Sequence, residues 1–467
     1  MKHLHLLYTL LFGVAVLLFF GMAYPHHLHY QEQFQLFLFD SAYVWDIVRL
    51  PGGVADLLGR FCTQFFLYAW VGAIIIALLL SAIQLLTLRL FTVHSSFFTL
   101  HSSLFTPHWF YVLSFLPSFL LWLFLLDEHA LLGGVWAVLL TLFAIWLIIL
   151  LPKGWAQRIA ILVAIPLLYW LAFGGSHYYR YPSVFPTLLY AAWLSAVILP
   201  LIAHFFHKLT VSSRLSFILY HLSIILVFAV MGTLVWKNAN FKAEKVMKYD
   251  FMVTHQQWNR ILETISTEKP NNQIGVTVQN LALAMHGLLA DHLFDFNQNG
   301  ILGLLPDVQS DAVSPMPTAE AFYQLGMIYV AQRTVFEAQE AILDFQKSGR
   351  CYKRLAQTNL IIGSYEVARK YLSALQKTLF YRDWANETLP LLGDEEAIAR
   401  HPEYGRLRKS LYKDDFYFSD HTTPDMLESL YYGNTENRVA LEYLKAYYML
   451  TGDRDGYARL LLKLQQQ

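Results

Sequence analysis

The chain has 467 residues, enough for two or three domains, and its 34 Lys and Arg balance 34 Asp and Glu, so net charge points to no highly charged partner. It carries no basic stripe or base-reading module, which argues against nucleic acid, and its two cysteines, Cys62 and Cys351, are too few for a disulfide framework or a thiol zinc site. The balance hides a split, because only 15 of the 68 charged residues precede Lys237, and hydrocarbon excludes charge at a cost of about 3 kcal/mol per group.

Crossing about 30 Å of hydrocarbon takes about 20 apolar residues. Seven stretches approach that length: residues 6–23, 61–88, 108–126, 130–151, 158–173, 185–206 and 215–236. The first reads as a retained anchor, although Gly21-Met22-Ala23 has the small-x-small form of a signal-peptide cleavage site. Pro117, Pro166 and Pro200 fall inside later stretches, which a bilayer tolerates when neighbouring helices satisfy the freed carbonyls.

Residues 24–60 are too polar to span. They carry Glu32, Asp40, Asp46, Arg49, Asp56 and Arg60 among Phe34, Phe37, Phe39, Trp45 and Ile47, and Pro51-Gly52-Gly53 breaks the run. This pattern predicts one or two amphipathic helices lying along the membrane interface. Lys2, Arg89, Lys153, Arg158, Lys208 and Arg214 would share one side, against Arg49, Arg60 and Arg180 on the other. The positive-inside rule then places the N-terminus in the cytoplasm and the C-terminal part outside it. Lys237, Lys242, Lys245 and Lys248, just past the last stretch, pull the other way, but large domains translocate largely regardless of charge.

From Lys237 onward the pattern predicts helices with short loops and no strand alternation. Phe322, Leu325, Gly326, Tyr329, Ala338 and Ile342 fit the places of a tetratricopeptide-like hairpin. Tyr352, Leu355, Ala356, Asn359, Gly363, Tyr365, Ala368 and Leu372 repeat the pattern 30 residues later. Leu441, Leu444, Tyr448 and Gly452 suggest a third copy, and Trp258, Ile261 and Ile265 an earlier partial one. Stacked hairpins present a concave surface suited to a peptide or protein. The run Asp295-Phe296-Asn297-Gln298-Asn299-Gly300 resembles the start of a calcium loop, but its twelfth place is Pro306 where a bidentate Glu belongs, so a polar turn is expected.

Motifs for chemistry are sparse. His26, His27 and His29 cluster after the first stretch, and His204 and His207 lie one turn apart, yet neither group has a carboxylate at metal-site spacing. Neither a nucleotide-binding loop nor a nucleophile elbow occurs. The acidic first loop, the spans and the soluble domain together resemble in layout the polytopic glycosyltransferases that use lipid-linked donors. That likeness implies Asp40, Asp46 and Asp56 as general base or metal-holding carboxylates.

A local likeness covers most of the chain. Phe37-Leu38-Phe39, Pro51-Gly52-Gly53, Phe61 and Gln64-Phe65-Phe66, with Asn280 to Ala284, Asn359 to Tyr371 and Asn437 to Gly452, resemble uncharacterised multi-pass membrane proteins of Bacteroidetes-type bacteria. The resemblance implies a bacterial cytoplasmic-membrane location and brings no activity. The expectation is therefore an all-α protein: a transmembrane bundle of about seven spans over residues 1–236, then a soluble tetratricopeptide-like domain over 237–467. Its expected partners are the lipid bilayer and an envelope protein or peptide, with no cofactor or metal and no nucleic acid.

Overall fold

A computed structural model describes residues 2–96, 108–151, 154–173, 184–206, 214–307, 315–342, 346–411 and 423–466. Among them every regular element is helical, and the only β feature is an isolated bridge between Asn299 and Ile301. The chain divides into two compact units, Met1–Glu244 and Lys245–Gln467.

The first unit contains α1 (Lys2–Leu18), α2 (Pro25–Glu32), α3 (Ser41–Val48), α4 (Gly53–Thr63), α5 (Ala69–Ser96), α6 (His108–Leu113), α7 (Leu116–Phe124), α8 (Leu132–Ile149), α9 (Trp155–Phe173), α10 (Val184–Phe206) and α11 (Arg214–Asn238). Three helical segments are long and apolar enough to cross a membrane: His5–Ala23, Ala69–Phe91 and His221–Asn238. Tyr111–Phe124, Leu132–Ile148 and Thr187–Leu199 are shorter apolar helices. Leu6, Leu10, Leu78, Ile225 and Leu226 are exposed on the long ones. Such apolar surface is too extensive for water and suits contact with lipid.

The first long helices alternate in direction. Thr9 donates to Gln84 Oε1 at 2.7 Å, and Gly13 and Gly21 lie against Ser81 and Trp70, so α5 descends beside α1. Gln84 Nε2 in turn donates to Ser114 Oγ at 2.8 Å, and Ser118 donates to the Leu80 carbonyl, so α6 and α7 return. By contrast α1 and α11 are parallel. Tyr8 bonds His221 near their starts, at 2.6 Å, and Asn240 N–H donates to the Tyr24 hydroxyl past their ends.

Two expected spans begin differently from the hydropathy pattern. Residues 61–67 belong to α4 and a 3-10 turn, and α5 starts only at Ala69, after extended Tyr68. In α4, Gly59 lets the helix press against the backbone of Gly133 in α8, 74 residues away in sequence. The expected third span is two helices, because Ser114 bonds the Tyr111 carbonyl at the break and Pro117 starts α7 rather than interrupting it. Residues 24–60 form α2, α3 and α4, with the turn at Gly52 in the left-handed region (φ 77°).

The boundary between units lies beyond the hydropathy drop at Lys237. Ala239 and Phe241 pack against the apolar core of the first unit, and the Glu244 carboxylate bonds to α2. The division falls within α12 (Phe241–Thr254).

The second unit continues with α13 (Trp258–Glu268), α14 (Gln273–Met285), α15 (Leu289–His292), α16 (Pro315–Leu325), α17 (Ile328–Ala341), α18 (Gly349–Ile362), α19 (Tyr365–Leu375), α20 (Arg382–Thr388), α21 (Glu395–Arg400), α22 (Pro402–Lys409), α23 (Thr423–Gly433), α24 (Arg438–Thr451) and α25 (Arg454–Gln465). Helices α16 and α17, and α18 and α19, pack as hairpins, and Ala338, Ala356 and Ala368 are buried as their small size requires. Gly326 and Gly363 each end a helix in the left-handed region, at φ 99° and 93°, and so make the turn, and Gly326 also lies close against Ser410.

The later helices fold back. Helix α22 packs on α18, and α24 packs on α14, α15 and α16. Asn437 donates to the Leu325 carbonyl, Arg406 to Gln324, and Glu442 accepts the Ala290 N–H. These side chains satisfy helix-end groups across the unit, and one continuous core joins Leu360, Leu407, Leu427 and Tyr443. An open concave groove is therefore not what this stack presents on that side.

Two of the unit's ion pairs have both side chains about nine-tenths buried or more. Arg350 grips Asp250 with two bonds of 2.6 and 2.8 Å. Arg354, stacked 3.7 Å over the Tyr323 ring, reaches both oxygens of the almost wholly buried Glu320 at 2.5 and 2.6 Å. Breaking such a pair strands a buried charge at about 3–5 kcal/mol, whereas replacing both partners with apolar residues is often neutral. Arg354→Leu should accordingly speed labelling of the buried Cys351 thiol in the full-length protein by at least about a hundredfold. Arg354→Met combined with Glu320→Leu should restore most of the protection. In the first unit, Gln84→Leu should lower stability in detergent by about 1–2 kcal/mol, because two inter-helix hydrogen bonds disappear.

Candidate functional site

The three loop carboxylates each have local work. Asp40 precedes α3 and accepts the Ala42 N–H at 2.9 Å and the Tyr43 N–H at 3.4 Å, which makes it a helix N-cap. Asp46 pairs with Arg49 at 3.0 Å, one turn on, with both side chains largely exposed. Asp56 pairs with Arg60 at 2.8 Å along α4, and the same guanidinium reaches the Tyr43 hydroxyl. Each contact is one that a short amphipathic helix needs for its own ends and faces. Among the described residues no group of three or more His, Cys, Asp or Glu side chains is placed to hold a metal.

The polar turn after α15 is also locally used. Asn297 donates to the carbonyls of Lys269 and Pro270, Gln298 to Leu293, and Asn299 to Asn271. These amides act as donors to backbone oxygens, and the turn is closed by Gly300 at φ 60°. Of the second histidine pair, His207 lies outside the described residues.

The structure instead assembles a polar cap where α1 and α11 end. Proline at the first position of α2 leaves the N–H groups of His26 and His27 as the first donors of that helix. Both are taken by Glu244, at 2.8 Å to one carboxylate oxygen and 2.9 Å to the other. His27 stacks on Tyr24 at 4.5 Å between centroids, and its Nε2 meets the Leu125 carbonyl at 2.9 Å. Gln31 donates to the carbonyls of Asp127 and Ala130, and Tyr24 to that of Leu126. Three chain segments thus close on one another through backbone groups that hydrocarbon would leave unpaired. The histidine cluster is visible in sequence. Its carboxylate partner lies more than 200 residues away, so no local spacing could reveal it.

Burial moves both titrating groups of the cap. It pulls His27 down to about 4, only partly opposed by the Leu125 carbonyl. It pushes Glu244 up to about 7, against the lowering effect of the two N–H donors.

These displacements act on stability with opposite sign. Unfolded His27 binds a proton that the folded protein refuses, so stability rises from about pH 4 to 6.5. Folded Glu244 keeps a proton that the unfolded chain has released, so stability falls from about pH 4.5 to 7. Each amounts to about 3 kcal/mol, and over the shared window they offset one another. Thermal unfolding in detergent should then be nearly flat across that window for the natural protein. Glu244→Gln should make stability rise with pH, and His27→Phe should make it fall; parallel profiles for the two variants would contradict the assignment.

No curated protein and no solved structure matches the chain. A family of unknown function (DUF6057) matches residues 1–177 and 172–466. With nearly its whole length covered, the chain belongs to that family.

Proposed function

We propose that this is a multi-pass protein of the bacterial cytoplasmic membrane that presents its second unit, a stack of tetratricopeptide-like hairpins, outside the cytoplasm to bind or assemble an envelope protein. Besides the three long segments, α8, α9 and α10 have 18, 19 and 23 residues. At 1.5 Å per residue they measure about 27 to 35 Å, close to the bilayer core. With α6 and α7 taken together, seven alternating crossings result. Parallel α1 and α11 agree with an odd number, which separates the N-terminus from residues 245–467.

The observation that carries the interaction reading is an outward stripe on α17. Tyr329 and Phe336 are each 51% exposed, two turns apart, with exposed Arg333 and Glu340 completing the same face. Ala331, Val335 and Ala338 on the other face are buried, so the aromatics are not needed for packing of the hairpin. Exposed aromatics beside an Arg are the residue types that anchor protein interfaces. The transferase reading gains no comparable support, since Asp40, Asp46 and Asp56 serve separate local roles.

A photo-crosslinking residue at position 329 or 336, introduced in cells, should give one discrete adduct. Tyr329→Asp with Phe336→Asp should abolish growth-phase co-purification of that same adduct partner while leaving protein level unchanged. Absence of any discrete adduct from both positions would overturn the reading.

A further inference from the structure

Helix α4 reverses the polarity of a helix that meets water. Val54, Leu58 and Phe61 recur at i, i+4 and i+7 and so share one face, on which Val54 is 51% and Phe61 37% exposed. Asp56 and Arg60 fall on the opposite face. That face is turned toward protein. The 2.8 Å ion pair leaves only 17% of the Asp56 side chain and 12% of the Arg60 side chain exposed, the guanidinium reaches the Tyr43 hydroxyl, and Tyr43 in turn donates to the Leu36 carbonyl. Gly59, on the flank between the two faces, lies against the backbone of Gly133. A helix beside water buries its apolar stripe and solvates its charges. Helix α4 covers its charges and leaves the apolar stripe open, which is the arrangement hydrocarbon selects, because there an ion pair must find its partners within the protein.

The stripe continues into a membrane-length helix. Phe61 meets Phe37, Phe39 and Phe65 edge-on, with ring centroids 5.5 to 6.5 Å apart. The Phe65 carbonyl accepts the Tyr68 N–H, and Tyr68 and Trp70 are about half exposed where the apolar segment Ala69–Phe91 begins. We propose that the Val54–Leu58–Phe61 face of α4 is a lipid-contact surface, seated against the glycerol and upper acyl region of the leaflet in which α5 begins, with the Asp56–Arg60 pair sealed on the protein side. Exposed Trp45 and the exposed Asp46–Arg49 pair of α3 mark the headgroup level beside it. Helix α4 is then part of the wall of the bundle, and only α3 rests along the interface. The inference rests on the membrane part of the reading above and is independent of any partner of the second unit.

Photo-crosslinking of the full-length protein in nanodiscs of phosphatidylethanolamine and phosphatidylglycerol tests it, with a diazirine side chain at position 54, 61 or 78 and the intact mass as readout. Leu78, exposed on α5, is the reference for a spanning helix. Positions 54 and 61 should each gain the mass of one phospholipid, as position 78 does. Water addition alone at 54 and 61, or a covalent dimer of the chain from them, while position 78 takes lipid, would overturn the inference and leave the membrane reading standing. No phospholipid adduct from any of the three positions would overturn both. Should the side chain at 61 disturb the ring contacts, position 54, which makes none of them, decides alone.

Discussion

Solvent sets the terms for this molecule. A helical backbone and its side chains can enter hydrocarbon only if most polar groups find partners within the protein, a rule that bears on every helix long and apolar enough to cross a membrane. The first unit's few charged residues sit outside the three long apolar helices or at their ends. Its buried amides and hydroxyls, Thr9, Gln84 and Ser114, form one chain across three helices. The second unit is richer in charge, and it holds carboxylate–guanidinium pairs against tyrosine rings while exposing charged faces.

The same rule explains why the polar cap forms where it does. Where α1 and α11 end, helix termini expose N–H and carbonyl groups that neither water nor hydrocarbon serves well. Tyr24, His27, Gln31 and Glu244 satisfy them across distant parts of the chain. In doing so they accept burial of one imidazole and one carboxylate, whose proton affinities shift in opposite directions.

Much of the architecture could be read from residue order. Long apolar runs mark α1, α5 and α11, and Pro51-Gly52-Gly53 marks the turn before α4. The hairpin periodicity around Phe322 and Leu355 places α16 to α19. What escaped was set by contacts distant in sequence. Gly59 looks like any small residue in an apolar run until Gly133 is placed against it. Gly326 both makes a turn and lies close against Ser410, a residue 84 positions away. The backfolding of α22 and α24 depends on Asn437 and Glu442, polar residues whose partners no local pattern names. The carboxylates of the first loop stood out because acidic residues are rare there, yet each one caps or pairs within its own helix. Rarity of charge drew attention to these residues and said nothing about their chemistry.

The account stands on the parallel course of α1 and α11 through a bilayer, fixed at one end by Tyr8 with His221 and at the other by Tyr24 with Asn240. The most direct test places one specific protease site before Lys2 and another, in a separate protein, after Asn240, and exposes sealed right-side-out vesicles to the protease. Cleavage at only the second site, reversed in inverted vesicles, is the predicted result. Cleavage of both sites from the same side would contradict the account.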